Sequence, residues 1–458
     1  MGVQHLSWQL TVTLRPEPGG WELDPGLAAR ASVVLARCVE LGQISEEPGF
    51  LSRRPLTSAA RHAERLVASW MRDAGGQATV DPVGNVTGRW RPSGAVNVPV
   101  IVIGSHIDTV RNAGRYDGPL GVLLGIALAE TLATPPSPKF PPLPFGIDVV
   151  AFAGEEGARF SLPFLGSRMV AGDLPAELLA RLDTDGVSFG QALGEAGHDP
   201  ESVVGHGPRY APGDILLYLE PHIEQGPVLD AAGEAVGVVT AIAGQTRRRV
   251  TLTGRANHAG TTPMRLRADA LGGAAEAVLA TERVARQTPG LVATVGELKV
   301  MPGSANVIPG EVAFSLDVRH EAETILHEAV GTIIEAIRSI AESRGLGVEV
   351  DGVMDVAPVA CDPRVTAAFQ EASRRTLGIE LREVVSGAGH DAMVMATIAP
   401  VGMFFVRSPG GISHHPDESV IESDVAVALG LLVETVRVVA ERVRSGDWQG
   451  TADAGGRE

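Results

Sequence analysis

The sequence predicts an α/β protein: a mixed, mainly parallel sheet flanked by helices, interrupted by an inserted α+β domain with a four-stranded antiparallel sheet and two helices. Three observations predict it. Four apolar runs rich in β-branched residues, VPVIVIGSH, GIDVVAFAG, DILLYLEPH and VGMFFVRS, are continuous, as parallel strands buried on both faces must be. Each run stops at a cluster of polar side chains, and open α/β sheets gather their ligands at the carboxyl ends of strands. From 233 to 352 the pattern changes to strand, strand, helix, strand, strand, helix, strand, the order of a compact sandwich. The expected division is a main domain at 1–232 and 353–458, with 233–352 inserted into it.

Composition narrows the function classes. With 44% hydrophobic and 20% charged residues, the 458-residue chain is of the soluble globular type. A net charge of -17 argues against general binding to nucleic acid or an anionic membrane, while leaving room for a local basic site. Cys38 and Cys361 are too few and too far apart for a disulfide framework or a thiolate metal site, so any metal must use histidine and carboxylate. There is no basic-then-apolar leader and no uncharged apolar run of about 18 residues, so the expected location is cytoplasmic.

The elements follow in order. After a short alternating piece, LTVTL, and a Pro/Gly break, PGLAARASVVLARCVELG has helical spacing with Pro at its start and Gly at its end. TSAARHAERLVASWMRDAG is a second helix, capped by Thr57 or Ser58 and closed by Gly75. QATVDPVGNVTGRW turns at Gly84-Asn85 into an antiparallel pair. The first buried run then ends at His106. Asp108 lies two residues on, on the same side of an extended chain, where its carboxylate could fix the imidazole tautomer. Asp117 precedes Gly118, which frees the backbone to enter the helical run LGVLLGIALAETL. His106 and Asp117 are candidate metal ligands; a core histidine beside a capping aspartate would give the same local pattern.

The second run ends in Glu155 and Glu156. Adjacent carboxylates at the end of a buried strand repel each other unless something positive sits between them. In the functional reading one faces a metal and the other faces substrate as general base, and spacing alone does not say which. GVSFG, from Gly186 to Gly190, fits the Gly-x-Ser-x-Gly nucleophile pattern, but the residues before it (Leu182, Asp183, Thr184, Asp185) are too polar for the strand that motif needs. Ser188 is therefore expected to cap a helix. The third run ends in Glu220, His222, Glu224 and Gln225. Three strand ends carrying ligand-type residues favour a shared metal site over three coincidences.

In the insertion, strands are expected at VGVVTAIAG, TRRRVTLTG, LVATVGELKV, EVAFSLDVRH and GVEVDGV, and helices at DALGGAAEAVLATERVARQ and ETILHEAVGTIIEAIRSIAESRG. His258 lies in the loop GRANHAGTTPM and Asn306 in GSANVIPG; Arg319 ends a strand and is suited to grip a carboxylate bidentately. Beyond it, VVSGAGHDAMVMA is a glycine-rich turn fit for backbone contact with an anion. The fourth run leads to His414 and His415, of which an extended chain can aim only one at a site; a closing helix follows at SDVAVALGLLVETVRVVAERV.

GSHIDT, the YDG triplet, AGEEG, HIEQG, GRANHAGTTPM, NVIPG, SGAGHDA and GISHHP occur in this order across about residues 30 to 440. Together they resemble the amidohydrolase branch of the dinuclear zinc aminoacylase/carboxypeptidase superfamily, which holds N-carbamoyl-L-amino-acid hydrolases, β-ureidopropionases, ureidoglycolate amidohydrolases and allantoate amidohydrolases. Within the branch, GSHIDTV…AGRYDG, the FLGS run at Phe164 to Ser167 and SGAGHDAMVMA…VGMFFVRSPGGISH are most similar to allantoate amidohydrolases.

The resemblance implies a zinc-peptidase-like catalytic domain, a ferredoxin-like dimerisation or lid domain, and two divalent ions, zinc or manganese, per subunit. It implies that His106, Asp117 and His222 hold one ion, that Asp117, Glu156 and His414 hold the other, and that Glu155 is the general base. His414 is preferred to His415 because it fills the Ser-His-x-Pro slot. Gln245, Asn306, Arg319, the backbone around Ala388 and, more weakly, Gln225 are implied to hold substrate. His258 would reach into the partner subunit's site as oxyanion stabiliser, in a homodimer joined through the inserted domain. The implied reaction is hydrolysis of a ureido C–N bond in a small carboxylate-bearing molecule, allantoate to ureidoglycine, ammonia and carbon dioxide, or an N-carbamoyl amino acid in its place. Ureidoglycolate hydrolysis fits less well, as does an aminopeptidase or deacetylase, which Gln225 and the NHAGTTPM loop disfavour.

Overall fold

Helix α1 (Pro25–Leu41) starts where Asp24 accepts the Gly26 and Leu27 amides at 2.7 and 3.3 Å with Pro25 leading the first turn. Helix α2 (Ser58–Asp73) is capped by the Thr57 hydroxyl, and Gly75 behind it takes the left-handed conformation expected of a helix stop. Strands β1 (Gln77–Val80) and β2 (Val86–Trp90) form the anticipated antiparallel pair. The computed structural model describes residues 24–92, 98–133 and 142–448, together with 16–17 and 20–21; the LTVTL piece lies outside the described residues.

The continuous apolar runs become β3 (Val100–His106), β4 (Gly146–Phe152) and β5 (Ile215–Ile223), with helix α3 (Pro119–Ala133) between the first two. All seven residues of β3 and of β4 are buried, which is why neither strand alternates. Strand β6 (Val236–Ile242) follows, then the inserted elements β7 (Gly244–Thr253), α4 (Ala270–Gln287), β8 (Val292–Thr294), β9 (Leu298–Met301), β10 (Glu311–His320), α5 (Glu323–Ser343) and β11 (Gly347–Val356). The chain returns through β12 (Val359–Ala360), α6 (Pro363–Thr376), β13 (Arg382–Ser386), β14 (Val401–Val406) and α7 (Glu422–Ser445).

The main sheet has nine strands in the order β12-β6-β14-β5-β3-β4-β2-β1, with β13 also pairing β6. Its centre, β14-β5-β3-β4, is parallel, so the ends of these strands open on the same edge. Leu27, Met71, Leu123, Val149, Leu219, Phe404 and Leu429 join one core across sheet and helices. Each such fully buried side chain contributes about 1.5–3 kcal/mol, which sets a rigid floor beneath the strand ends. Ser188 caps the helix Phe189–Glu195 in a reciprocal box with Gln191, as expected. Among the described residues no helix is long and apolar enough to cross a membrane.

Two compact units emerge, one of the described residues up to Thr240 with Cys361–Val384 and those from His390 onward, the other of Ala241–Ala360 with Val385–Gly389. The division differs from 233–352 mainly because VGVVTAIAG does not join the inserted sheet. Its strand, β6, runs antiparallel to β14 in the main sheet. Six of its seven residues are buried, so it needs a sheet covered on both faces.

The inserted unit carries five strands rather than four, β8-β10-β7-β11 with β9 also on β10, because LVATVGELKV breaks in two. At the break the Glu297 amide donates to the Ser315 hydroxyl at 2.9 Å and the Ser315 amide to the Glu297 carbonyl at 3.1 Å. Strand β10 alternates perfectly: Val312, Phe314, Leu316 and Val318 meet α4 and α5, and Asp317 and Arg319 fall on the opposite, open face. With Arg247 and Arg249 of β7 these last two line a cavity of about 620 Å³.

Candidate metal centre

His106 is the last residue of β3 and His222 the penultimate residue of β5, neighbouring parallel strands, so the sheet itself delivers both imidazoles to one place. Their rings stack with centroids 5.7 Å apart. Each Nδ1 faces a main-chain carbonyl, Asp108 O at 3.1 Å for His106 and Ile223 O at 2.9 Å for His222. A carbonyl only accepts, so Nδ1 carries the proton and Nε2 is the nitrogen offered to the site.

Both Nε2 atoms converge on Asp117 Oδ1, at 3.5 and 3.2 Å, and His414 Nε2 lies 3.3 Å from Asp117 Oδ2. Asp117 thus divides its two oxygens between two clusters. The ligand atoms of His106, Asp117 and His222 lie within 4.8 Å of one another, as do those of Asp117, Glu156 and His414 and those of His106, Glu155 and Glu156. Gly118 makes this possible, since its φ is +81° and a Cβ there would lie 2.6 Å from the His106 ring.

Burial changes across the site. The side chains of His106, His222 and Asp117 are 1–4% exposed, whereas that of His414 is 48% exposed. The deep end is closed and the His414 end is open. His414 itself has a φ of +55°, and this unusual backbone turns it, rather than its neighbour, to the site. His415 is exposed and accepts the Asp417 amide at 3.2 Å.

Asp117 Oδ1 is buried and has no hydrogen-bond donor of its own. Two imidazole nitrogens and a carboxylate oxygen pointing at one dry spot need a cation. Without one, protons answer the charge. Burial alone would lower the His106 pKa, but the carboxylates of Asp117, Glu155 and Asp108 around it hold it well above the usual value. Burial alone would raise Asp117, yet the three imidazoles hold it well below the carboxylate range. Burial, reinforced by Asp117, pushes Glu156 up to about 7. Burial also holds Glu155 well above the usual range, with Glu156, Asp391 and Asp108 adding to the rise. The all-N/O donor set suits a divalent ion of the zinc or manganese type.

The Asp108 carboxylate takes a different partner from the one anticipated. It stands 3.7 Å from His106 Nδ1 and instead accepts the amides of Glu155 and Glu156 at 3.0 and 3.3 Å, orienting the two glutamates. Gln225, expected as a substrate contact, has a φ of +58°, and its side-chain amide donates to Asp117 Oδ2 at 2.8 Å. Three supporting residues were not anticipated. Ser413 donates to Asp117 Oδ2 at 2.8 Å. Glu418 accepts the amides of Tyr116 and Asp117 at 2.8 and 3.1 Å. Buried Arg53 donates to the carbonyls of Ile107, Leu41 and Ile44, fixing the turn behind His106. Ser413 stands inside the GISHHP motif, which was a usable signal; nothing local marks Glu418 or Arg53.

The remaining predicted residues lie in the inserted unit and form two groups. Gln245 and Arg319 are register partners on β7 and β10, and both bind Asp317: Arg319 bidentately at 2.8 and 3.1 Å, Gln245 at 2.5 Å. Arg319 Nη1 also donates to the Gly387 carbonyl at 2.6 Å, which brings the Gly387-Ala388 turn to the same end of the sheet. His258 and Asn306 form the second group, on paired segments in which the Ala259 amide donates to the Asn306 carbonyl at 2.9 Å. His258 Nδ1 accepts the amides of Gly260 and Thr261, so its exposed Nε2 carries the proton and is a donor.

Comparison with known proteins agrees with this geometry. Residues 102–438 match the peptidase family M20/M25/M40. The chain is 40% identical to an N-carbamoyl-L-amino acid amidohydrolase of Geobacillus stearothermophilus, covering 88% of this chain and 97% of that protein. It is 38% identical to an allantoate deiminase of Arabidopsis thaliana, covering 90% and 83%. The fold superposes on a hydantoinase/carbamoylase family amidase of Burkholderia multivorans with a TM-score of 0.81 at 34% identity, covering 90% of this chain and 97% of that one. With its histidines and carboxylates assembled at the ends of the family's parallel strands, this chain belongs to peptidase family M20/M25/M40.

Proposed function

We propose that this chain is a metal-dependent amidohydrolase that cleaves a ureido C–N bond in a small carboxylate-bearing molecule, with allantoate as the substrate, giving ureidoglycine, ammonia and carbon dioxide. The observation that carries the reading is the pairing of two ligand clusters, one buried and one opening at His414, through Asp117 with a neighbouring carboxylate, Glu155, that neither of the two Asp117-centred clusters uses. The relatives named for allantoate and N-carbamoyl amino acids support the class of bond.

His106, Asp117 and His222 would hold one divalent ion, and Asp117, Glu156 and His414 a second. Zinc or manganese so held supplies Lewis acidity, activating water and polarising the ureido carbonyl. Glu155 takes the proton of the attacking water and delivers it to the leaving nitrogen, a task that suits a carboxylate whose pKa is raised by burial. His258 donates Nε2–H to the oxyanion. Arg319, with Gln245 and the Ala388 backbone near it, receives the substrate carboxylate on the guanidinium edge that Asp317 leaves open. Asn306 completes the contacts from beside His258.

The same reading makes the enzyme a homodimer through its inserted unit. Thr253 pairs with Glu311 at one end of the β7/β10 ladder and Gln245 with Arg319 near the other, eight residues along. At ~3.4 Å per residue that is roughly 27 Å. His258 and Asn306 follow and precede the far end, which supports a role for His258 in the site of a second copy rather than on a ureide held by Arg319 of its own chain.

The N-carbamoyl-L-amino-acid reading keeps the same mechanism and is favoured by the 40% identical relative. Ammonia release by manganese-reconstituted protein, offered allantoate, N-carbamoyl-β-alanine and N-carbamoyl-L-amino acids side by side, tests the choice. Preference for allantoate upholds the proposal, preference for a carbamoyl amino acid replaces the substrate alone, and silence on all three overturns it.

A further inference from the structure

We infer that Glu418 is a positioning residue for the metal pocket, locking together the loop that carries Asp117 and the loop that carries His414. Glu418 is 4% exposed, although it is four residues beyond an open-end histidine. One of its oxygens, Oε1, accepts both the Tyr116 and the Asp117 amides, at 2.8 and 3.1 Å. The other, Oε2, stands 3.3 Å from the hydroxyl of Ser413, which donates to Asp117 Oδ2 at 2.8 Å. Glu418 therefore holds the Asp117 loop through two backbone amides, and its second oxygen lies against the Ser413 hydroxyl that binds the Asp117 oxygen facing His414.

A second observation points the same way. A Cβ on Gly114 would lie 2.3–2.4 Å from the Glu418 side chain, yet Gly114 is not among the positive-φ glycines. Its missing side chain makes room for Glu418 rather than for an unusual backbone. The carboxylate is thus seated in a slot that the metal loop keeps clear for it. Orienting partners of this kind set the aim of a ligand without touching the ion, and their loss typically weakens metal affinity about 10–100-fold.

The inference rests on the metal-pocket reading, so the test begins with cobalt(II) alone, titrated into the chelator-stripped full chain against a competing chelator, with the visible ligand-field band as readout. Glu418→Ala is expected to weaken cobalt uptake about 10–100-fold and to alter the band. Glu418→Gln is expected to restore both nearly to the parent, since its carbonyl oxygen can accept the two amides and its NH₂ can donate to Ser413. Gly114→Ala should imitate Glu418→Ala, since its Cβ would meet the Glu418 Cβ at 2.4 Å as well as the carboxyl group and so displace the whole side chain; it also decides the matter if Glu418→Ala does not fold. Parental affinity and spectrum in both Glu418→Ala and Gly114→Ala overturn the inference. So does a Glu418→Gln variant as weak as Glu418→Ala. Absence of cobalt uptake by the parent chain overturns the pocket itself, and this inference with it.

Discussion

The two units present their candidate site residues in opposite ways. In the main unit the side chains of His106, His222 and Asp117 are all but sealed and aimed by main-chain carbonyls, Gln225 and Ser413, so the pocket is organised before anything binds. In the inserted unit Arg319 and Gln245 lie on an open sheet face and are held by Asp317, with the Gly387 carbonyl also on Arg319. The difference matches the two tasks proposed for them. A cation needs a dry cage with several fixed ligands, whereas a substrate that must enter and leave needs a reachable clamp.

Removing the member common to both clusters should therefore have the largest effect. Asp117→Asn is expected to abolish detectable ureide turnover together with tight uptake of metal, measured by elemental analysis after gel filtration. Next, Glu155→Gln should lower kcat by about 10²–10⁴-fold while the metal content stays at the parental level. That pair of results separates holding the metal from using it. On the open face, Arg319→Gln should raise KM for a ureido acid about 10–100-fold with kcat little changed, and should leave KM for the corresponding uncharged amide as it was. An equal rise for acid and amide would remove the carboxylate clamp from the comparison.

The smallest expected effect concerns a buried carboxylate with no metal to answer to. Burial, its largest cause, pushes Glu64 up to about 7, and Asp81 adds to it. Folding thus favours the protonated form. The stabilisation is fully present below about 4.5, the value of the free group, and is lost as pH rises to about 7. After allowance for partial solvent screening this amounts to about 1–2 kcal/mol. Glu64→Gln should flatten the fall in urea-unfolding stability between pH 4.5 and 7 whether or not metal is added; an unchanged pH slope would contradict it.

Part of the pocket was legible in the sequence because His106, His222 and the Glu155-Glu156 pair lie at strand ends. A continuous buried run that stops at His106, at Glu155-Glu156 or near His222 announces a sheet edge, and parallel neighbours then share that edge. The roles of Glu418 and Arg53 were not legible, since each depends on a loop brought near by packing from a distant part of the chain. Gln225 was visible as part of HIEQG, but its left-handed backbone, which swings the amide onto Asp117, was not. The assignment of β6 to the wrong sheet had a remedy in the sequence itself. VGVVTAI is continuous like the main-sheet runs, whereas EVAFSLDVRH in the insertion alternates.

The most direct test of the account is a single assay of ammonia release from allantoate and N-carbamoyl amino acids, run beside dipeptide hydrolysis, with the parent chain before and after chelation and with Glu155→Gln reloaded with metal. Ureide turnover is expected to disappear on chelation, to return with manganese or zinc, and to stay absent in metal-loaded Glu155→Gln, with no dipeptide cleaved. Dipeptide cleavage without ammonia from any ureide, or ureide turnover that survives chelation, would contradict it.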